Sequence, residues 1–332
     1  MFDAKILENS RIVVTGGAGF IGSNLTETLL RLGCEVVVLD NFATGKRENL
    51  ARFSGHRNFT LTQGDIRNPD DCRKVVDGAD FVLHQAALGS VPRSIKDPGT
   101  SASVNISGFV NMLHAAVDSR IKRFVYASSS SVYGDCQDSP KVEKRTGIPL
   151  SPYALTKSVN EQFAANFHQI YGIDCIGLRY FNVFGRRQDP DGAYAAVIPK
   201  FSAALIAHQS PVINGDGSFS RDFTFIDDVV KANILALTAD DPAACNTVYN
   251  IAGGKETTLN ELFSYLREEL SVFDREIENI LPVYAPERPG DIPHSLADIS
   301  KAASLLGYIP EYDIRSGLKS TAQWYFQNLA NR

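Results

Sequence analysis

Short apolar runs rich in β-branched residues recur along the first half of the chain. Longer stretches with apolar residues on one side separate them. RIVVT (11–15) is followed by a helical pattern over 20–33 that places Phe20, Ile21, Leu25, Leu29 and Leu30 together. EVVVLD (35–40), FTLTQGD (59–65), DFVLHQAA (80–87) and KRFVYASS (122–129) read as strands two to five, and IDCIGLRYFNVFG (173–185) contains a sixth. The clearest intervening helices lie near 70–77, 100–118 and 152–170. Strands apolar on both faces, alternating with helices, predict an α/β fold with a doubly wound parallel sheet.

Beyond about residue 186 the rhythm breaks at a polar loop, RRQDPDGAY (186–194). Helices are expected at 196–207, 227–238, 258–270, 298–306 and 315–329, and short strands at 211–213, 247–251 and 281–284. The chain thus divides into residues 1–185, which build the sheet, and 186–332, a smaller α/β lobe. The boundary is soft, and a crossing back to the sheet stays open.

Composition narrows the partners. The 332 residues are 44% hydrophobic and 21% charged, with a net charge of −5, the balance of a globular protein with a large core. Without a long basic run, nucleic acid and anionic membrane surfaces are not expected partners. The five cysteines are far apart and never spaced Cys-x-x-Cys, which suggests neither a disulfide framework nor a zinc site. MFDAKILENS has no apolar core of a secretion signal, and no apolar run nears the ~20 residues of a membrane span. A cytoplasmic location is expected.

The first chemical signal is TGGAGFIGSN (15–24), between the first strand and the first helix. Gly16, Gly17, Gly19 and Gly22 let a backbone turn tightly and approach a pyrophosphate, while the helix N-terminus opening at Phe20 and Ile21 offers N–H groups and a positive dipole end. Asp40 closes the second strand, where a carboxylate grips an adenosine ribose and repels a 2′-phosphate, so NAD is favoured over NADP. Asp65, after the third strand, is placed to reach the adenine.

The second signal is SPYALTKSVNEQ (151–162). Ser151 suits an N-cap and Pro152 the first helical position. Tyr153 and Lys157, four residues apart, share a helical face. Leu155, Val159, Phe163, Phe167 and Ile170 are expected to form that helix's apolar face. The fifth strand ends in YASSSSVYGD (126–135), and the carboxyl ends of such strands are where ligands bind. Ser129 and, second, Ser130 are the candidate hydroxyls.

Taken together, TGGAGFIG, Asp40, Asp65, HQAA (84–87), SSSVYG (129–134) and Tyr153 with Lys157 resemble the extended short-chain dehydrogenase/reductase family, over nearly the whole chain. RYFNVFG (179–185), INGDG (213–217), RDFTFIDD (221–228) and RPGDIPHSLAD (288–298) are similar to its nucleotide-sugar 4-epimerases. The resemblance implies a Rossmann-type sheet with a C-terminal substrate lobe and a tightly held NAD, regenerated each turnover. It places Gly16, Gly19, Phe20, Ile21, Gly22, Asp40, Asn41, Gly45, Asp65, Ile66, Gln85, Ala86, Ala87, Tyr153 and Lys157 at the cofactor.

The implied chemistry fits these side chains. Lys157 and a positive nicotinamide would favour the Tyr153 phenolate. Tyr153 would take the proton of a sugar 4-hydroxyl that Ser129 holds, with hydride passing from C4 to NAD and returning to the other face of the ketone. Serines stand where dehydratases and decarboxylases of the family carry an acid, which favours epimerisation over those alternatives. The resemblance puts Asn182 on a phosphate, Arg221 and Arg288 on the pyrophosphate, Ala196, Val197 and Asn214 along the uridine, and Asp291 on the ribose. Gly89, Ser90, Ser129, Ser130, Tyr153 and Gln188 would line the sugar.

Ser295 replaces the tyrosine of epimerases restricted to non-acetylated sugars. That implies a preference for UDP-GlcNAc/UDP-GalNAc over UDP-Glc/UDP-Gal. A UDP-glucuronate 4-epimerase, with Arg93 meeting a carboxylate, and a non-catalytic NAD-binding sensor are the other readings. A homodimer through the helices near 100–118 and 152–170 is also implied.

Overall fold

A computed structural model describes residues 7–190, 196–287 and 293–329. Seven parallel strands form the central sheet: β1 (Arg11–Thr15), β2 (Glu35–Asp40), β3 (Phe59–Gln63), β4 (Phe81–His84), β5 (Arg123–Ser129), β6 (Cys175–Tyr180) and, far along the chain, β11 (Thr247–Ile251). Their order is β11-β6-β5-β4-β1-β2-β3, the doubly wound Rossmann arrangement. The strand order reverses between β1 and β4, and in such sheets a crevice for ligands opens there, outside the carboxyl ends.

The expected two-faced strands are borne out. Val14, Val36, Val38 and Leu83 enter one buried cluster, whereas Val13, Val37, Leu39 and Val82 enter the cluster on the other face. Successive strand residues point to opposite faces, so each face takes alternate members of the same apolar run. Edge strand β3 is the exception, with largely exposed residues.

The helices between the strands are α1 (Phe20–Arg31), α2 (Glu48–Ala51), α3 (Pro69–Val76), α4 (Val91–Lys96), α5 (Pro98–Ala102), α6 (Gly108–Asp118) and α7 (Pro152–Tyr171). The single helix expected over 100–118 is instead α5 and α6 joined by a π-helical turn, Ser103–Ser107. Helix α7 corrects a second expectation. Its buried positions include Ala154, Thr156, Lys157, Asn160, Ala164 and Phe167, whereas Leu155 is 52% and Ile170 61% exposed. The helix turns its small and polar stripe to the sheet, and periodicity alone does not reveal which stripe faces inward.

The later chain adds β7 (Val183–Phe184), α8 (Val197–Ile206), β8 (Val212–Asn214), β9 (Ser220–Asp222), β10 (Thr224–Phe225) and α9 (Ile226–Thr238). After β11 come β12 (Glu256–Thr258), α10 (Leu259–Ser271), β13 (Val283–Ala285), α11 (Ser300–Leu306) and α12 (Ile314–Leu329). The crossing back to the sheet is real: β11 pairs with β6 in parallel, Thr247 opposite Ile176 through Ile251 opposite Tyr180. Among the described residues no helix is long and apolar enough to cross a membrane, no acid–histidine–cysteine cluster could hold a metal, and the five cysteines are free.

Candidate active site

The glycine turn between β1 and α1 is built so closely that side chains do not fit. A Cβ on Gly22 would stand 2.2 Å from the Gly16 oxygen, and one on Gly16, at φ +68°, would meet the Ala86 backbone at 2.8 Å. Helix α1 starts at Gly19 with no side-chain cap, so its first turn faces the crevice with its own N–H groups. Asp40 closes β2 beside it. Its Oδ2 accepts from Ala18 N at 2.9 Å and its Oδ1 from Phe42 N at 2.8 Å. Burial raises this carboxyl above its ordinary pKa, against those two hydrogen bonds.

These elements border a cavity of about 390 Å³. Gly16, Gly19, Phe20, Ile21 and Gly22 line its floor, Asp40, Asn41, Gly45 and Ile66 one end, and Gln85, Ala86, Ala87 and Gly89 a wall. Tyr153 and Lys157 line the other end. Of the expected cofactor residues only Asp65 stands off the cavity. It accepts from Asn41 Nδ2 at 2.9 Å and pairs with Arg67, whose hydrogen bonds hold it at about 2. Arg67 lines the cavity in its place.

The residues fit NAD. The Cβ-free turn leaves room for a pyrophosphate, the uncapped helix start favours its charge, and the Asp40 carboxylate retains lone pairs for ribose hydroxyls.

Two serines fix the backbone around Tyr153. Ser94 Oγ accepts its backbone N–H at 3.0 Å, while Ser151 Oγ accepts that of Ala154 at 3.1 Å as N-cap. Ser129, at the end of β5, is close enough to the phenol to favour its ionised form. Ser129 Oγ accepts from Ser131 N at 3.2 Å, which leaves its own proton to donate. Ser130 opens a short 3-10 turn; neither it nor Ser129 is among the described residues lining this cavity, whereas Ser128 is. Burial holds the Tyr153 phenol above its usual pKa, and Ser129 opposes it. The expected lowering of Tyr153 needs the positive nicotinamide beside Lys157 as well. Burial also lowers Lys157 to about 8, against the field of Glu161.

A second cavity, about 530 Å³, is lined by Asn182, Gln188, Ala196, Val197, Asn214 and Arg221, all expected substrate residues. Tyr180 lines the first cavity and Asn182 the second, so both open at the carboxyl end of β6. Asn182 Nδ2 donates to Asp222 O at 2.9 Å, and Arg221 Nη1 donates to Ser220 O at 2.8 Å. Gly89 borders the cofactor cavity rather than this one, and Ser90 caps α4 by accepting from Arg93 N at 3.2 Å. Ser295 lines neither cavity; its carbonyl accepts from Asp222 N at 2.8 Å, beside Arg221. Arg288 and Asp291 lie outside the described residues.

Several site residues escaped the sequence reading. Asn105, on the π turn, accepts from Leu88 N at 2.8 Å and donates to Thr156 Oγ1 at 3.1 Å, tying the cofactor wall to α7. Such turns recur at functional sites, but no sequence pattern marks this one. Tyr180 and Asn233 brace Gln85: Gln85 Nε2 donates to Asn233 Oδ1 at 3.2 Å, and Asn233 Nδ2 to Tyr180 Oη at 2.9 Å. Helix α9 thereby supports the cofactor wall from the far part of the chain.

Known proteins share this arrangement. The sequence signature of the NAD dependent epimerase/dehydratase family matches residues 12–252. UDP-glucose 4-epimerase of Mycolicibacterium smegmatis is 35% identical over 317 residues, covering 95% of this chain and 98% of its own. The structure of UDP-N-acetylglucosamine 4-epimerase from Methanobrevibacter ruminantium M1 with UDP-N-acetylmuramic acid superposes with a TM-score of 0.90 at 40% identity, over 96% of this chain and 99% of that one. UDP-glucuronic acid 4-epimerase from Bacillus cereus, with UDP-glucuronic acid and NAD, gives a TM-score of 0.85 at 31% identity, over 96% and 99%. The glycine cradle, the Tyr153–Lys157 pair and a family match spanning most of the chain agree, and the chain belongs to the NAD dependent epimerase/dehydratase family, the extended short-chain dehydrogenases/reductases.

Proposed function

We propose that this protein is a UDP-sugar 4-epimerase that prefers UDP-GlcNAc and UDP-GalNAc. The observation that carries the reaction is that Tyr153 and Lys157, one turn apart on α7, both line the cofactor cavity, with Ser129 at the end of β5 close to the phenol. Tyr153 takes the proton from the sugar 4-hydroxyl and later returns it to the 4-keto sugar. Ser129 orients that hydroxyl. Lys157 stabilises the phenolate through its charge. NAD, when bound, supplies the hydride acceptor and adds positive charge that opposes the effect of burial on Tyr153.

In this reading residues 186–332 chiefly grip the nucleotide, with Asn182, Arg221 and Arg288 at the diphosphate, Ala196, Val197 and Asn214 along the uridine, and Asp291 at the ribose. Gln188, Gly89 and Ser90 face the sugar. Ser295 supports the N-acetyl preference, because a serine leaves room that a phenol would fill. A homodimer through α6 and α7 belongs to the same reading.

Isotope retention tests the reaction. The protein as purified, given UDP-GlcNAc deuterated at C4, should form UDP-GalNAc with the deuterium kept, since hydride leaves and returns within one pocket. Loss of the label to solvent would contradict hydride transfer, and no product would contradict the activity.

A further inference from the structure

The last three residues of β5 are each tied to one stripe of α7. Ala127 O accepts from Lys157 Nζ at 2.7 Å, Ser128 Oγ donates to Glu161 Oε1 at 2.5 Å, and Ser129 lies close to the phenol of Tyr153. Tyr153, Lys157 and Glu161 follow at four-residue spacing, so they stack along one helical face. Glu161 anchors the far end of this stripe. Arg179, from β6, reaches it with Nε at 2.9 Å and Nη2 at 2.8 Å, a planar fork onto both carboxylate oxygens. The pair is buried, with side-chain exposures of 4% for Arg179 and 14% for Glu161. Arg179 also donates to Glu143 O at 3.1 Å and lies 4.9 Å from the centre of the Tyr133 ring. A buried ion pair often adds no net stability over an apolar pair. Its place below the Tyr–Lys pair suggests another use.

We propose that Glu161, gripped by Arg179, is a positioning residue for the Ser129–Tyr153–Lys157 chemistry. Through Ser128 it fixes where Ser129 stands against Tyr153, and through its charge it keeps Lys157 cationic. The inference rests on the epimerase reading for its catalytic part. Burial works to deprotonate Lys157 and Glu161 opposes it. The other groups at this level are neutral or act beyond Glu161. His84 on β4 is an uncharged imidazole, Tyr126 on β5 an uncharged phenol, and Arg179 places its fork on Glu161. Ser94 from α4 and Asn105 from the π turn bring hydrogen bonds to Tyr153 N and Thr156 Oγ1, not charge.

The test compares NAD-loaded wild type with Ser128→Ala, Glu161→Gln and Glu161→Asp. The Lys157 ammonium is titrated by heteronuclear NMR without sugar, its signal assigned by its loss in Lys157→Met. Turnover is followed as kcat, KM and the pH profile of kcat. In Glu161→Gln, Lys157 should lose its proton about one pH unit lower, and the basic limb of kcat should move down with it. Glu161→Asp should restore part of that shift. Ser128→Ala leaves the ion pair whole and should lower kcat about tenfold, with KM and the Lys157 titration unchanged. An unshifted Lys157 titration in Glu161→Gln, or wild-type kcat in Ser128→Ala, overturns the proposal; should Glu161→Gln not fold, Ser128→Ala decides. A wild type that turned over no UDP-sugar would sink the epimerase reading, while the sugar-free titration would still decide this one.

Discussion

Lys157 lies with its ammonium 6.0 Å from the centre of the Tyr153 ring and gives a hydrogen bond to the Ala127 carbonyl instead. The end of β5 thus fixes the position of Lys157, and in the proposed mechanism it reaches the phenol through the field of its charge rather than through a hydrogen bond.

Lys157→Met should remove that field and leave burial to raise the Tyr153 phenol further. The expected result is a kcat lower by ~10² or more that rises towards alkaline pH, where the wild type declines as Lys157 loses its proton. A kcat–pH profile of the two proteins checks it. An unmoved profile would show that Lys157 only packs.

Tyr153→Phe should bind NAD normally and lose ~10²–10⁴ of turnover, because the proton of the 4-hydroxyl then has no acceptor. Cofactor content after denaturation and initial rates are the two measurements. Near-normal turnover would sink the mechanism.

Gly22→Ala would drive a methyl group to 2.2 Å from the Gly16 oxygen and 2.8 Å from Gly17 Cα. The turn must open, at ~1–3 kcal/mol. The variant should purify with little NAD and melt earlier. Full cofactor content would show that the cradle is looser than its contacts imply.

His84 is a neutral imidazole stacked on Phe124 and bonded to Thr15 Oγ1 at 3.0 Å, and burial holds it down at about 3. An unfolded histidine titrates near 6.5. Below that pH the unfolded chain binds a proton that the folded chain refuses, so stability falls as pH drops from about 6.5 towards 3, by up to ~1.4 kcal/mol per unit. Asp222, raised by burial to about 7, works in the opposite sense in part of the same window. The prediction is therefore a difference: His84→Phe should lose less stability than wild type between pH 7 and pH 5, read by urea denaturation. Parallel losses would contradict it.

Ser295→Tyr should lower kcat/KM for UDP-GlcNAc by at least about tenfold and leave UDP-Glc within a few-fold, because a ring fills the space proposed for the acetamide. Equal losses on both sugars would assign Ser295 to the backbone bond with Asp222 alone.

What the sequence discloses is what local chemistry writes. The glycine turn, Asp40 at a strand end and Tyr153 at a capped helix start each depend on neighbours a few residues away, and all sit where the pattern placed them. Asn182, Val197, Asn214 and Arg221 were expected at the substrate through resemblance, and one cavity gathers them. What stayed hidden is long-range. The Glu161–Arg179 fork joins α7 to β6, Asn233 braces Gln85 across 148 positions, and Asn105 works from a π turn. Asp65 has a local partner in Arg67, a pairing that the sequence pattern did not mark. Leu155 and Ile170 read as core because apolar periodicity is symmetric between an inward stripe and an outward one.

The most direct measurement is a nuclear magnetic resonance assay of anomeric protons, with the protein incubated separately with UDP-GlcNAc and UDP-Glc and no added cofactor. The account predicts UDP-GalNAc from the first, formed faster than UDP-Gal from the second. UDP-Gal formed faster than UDP-GalNAc would contradict the N-acetyl preference, and no epimer from either sugar, even after NAD is supplied, would contradict the central claim.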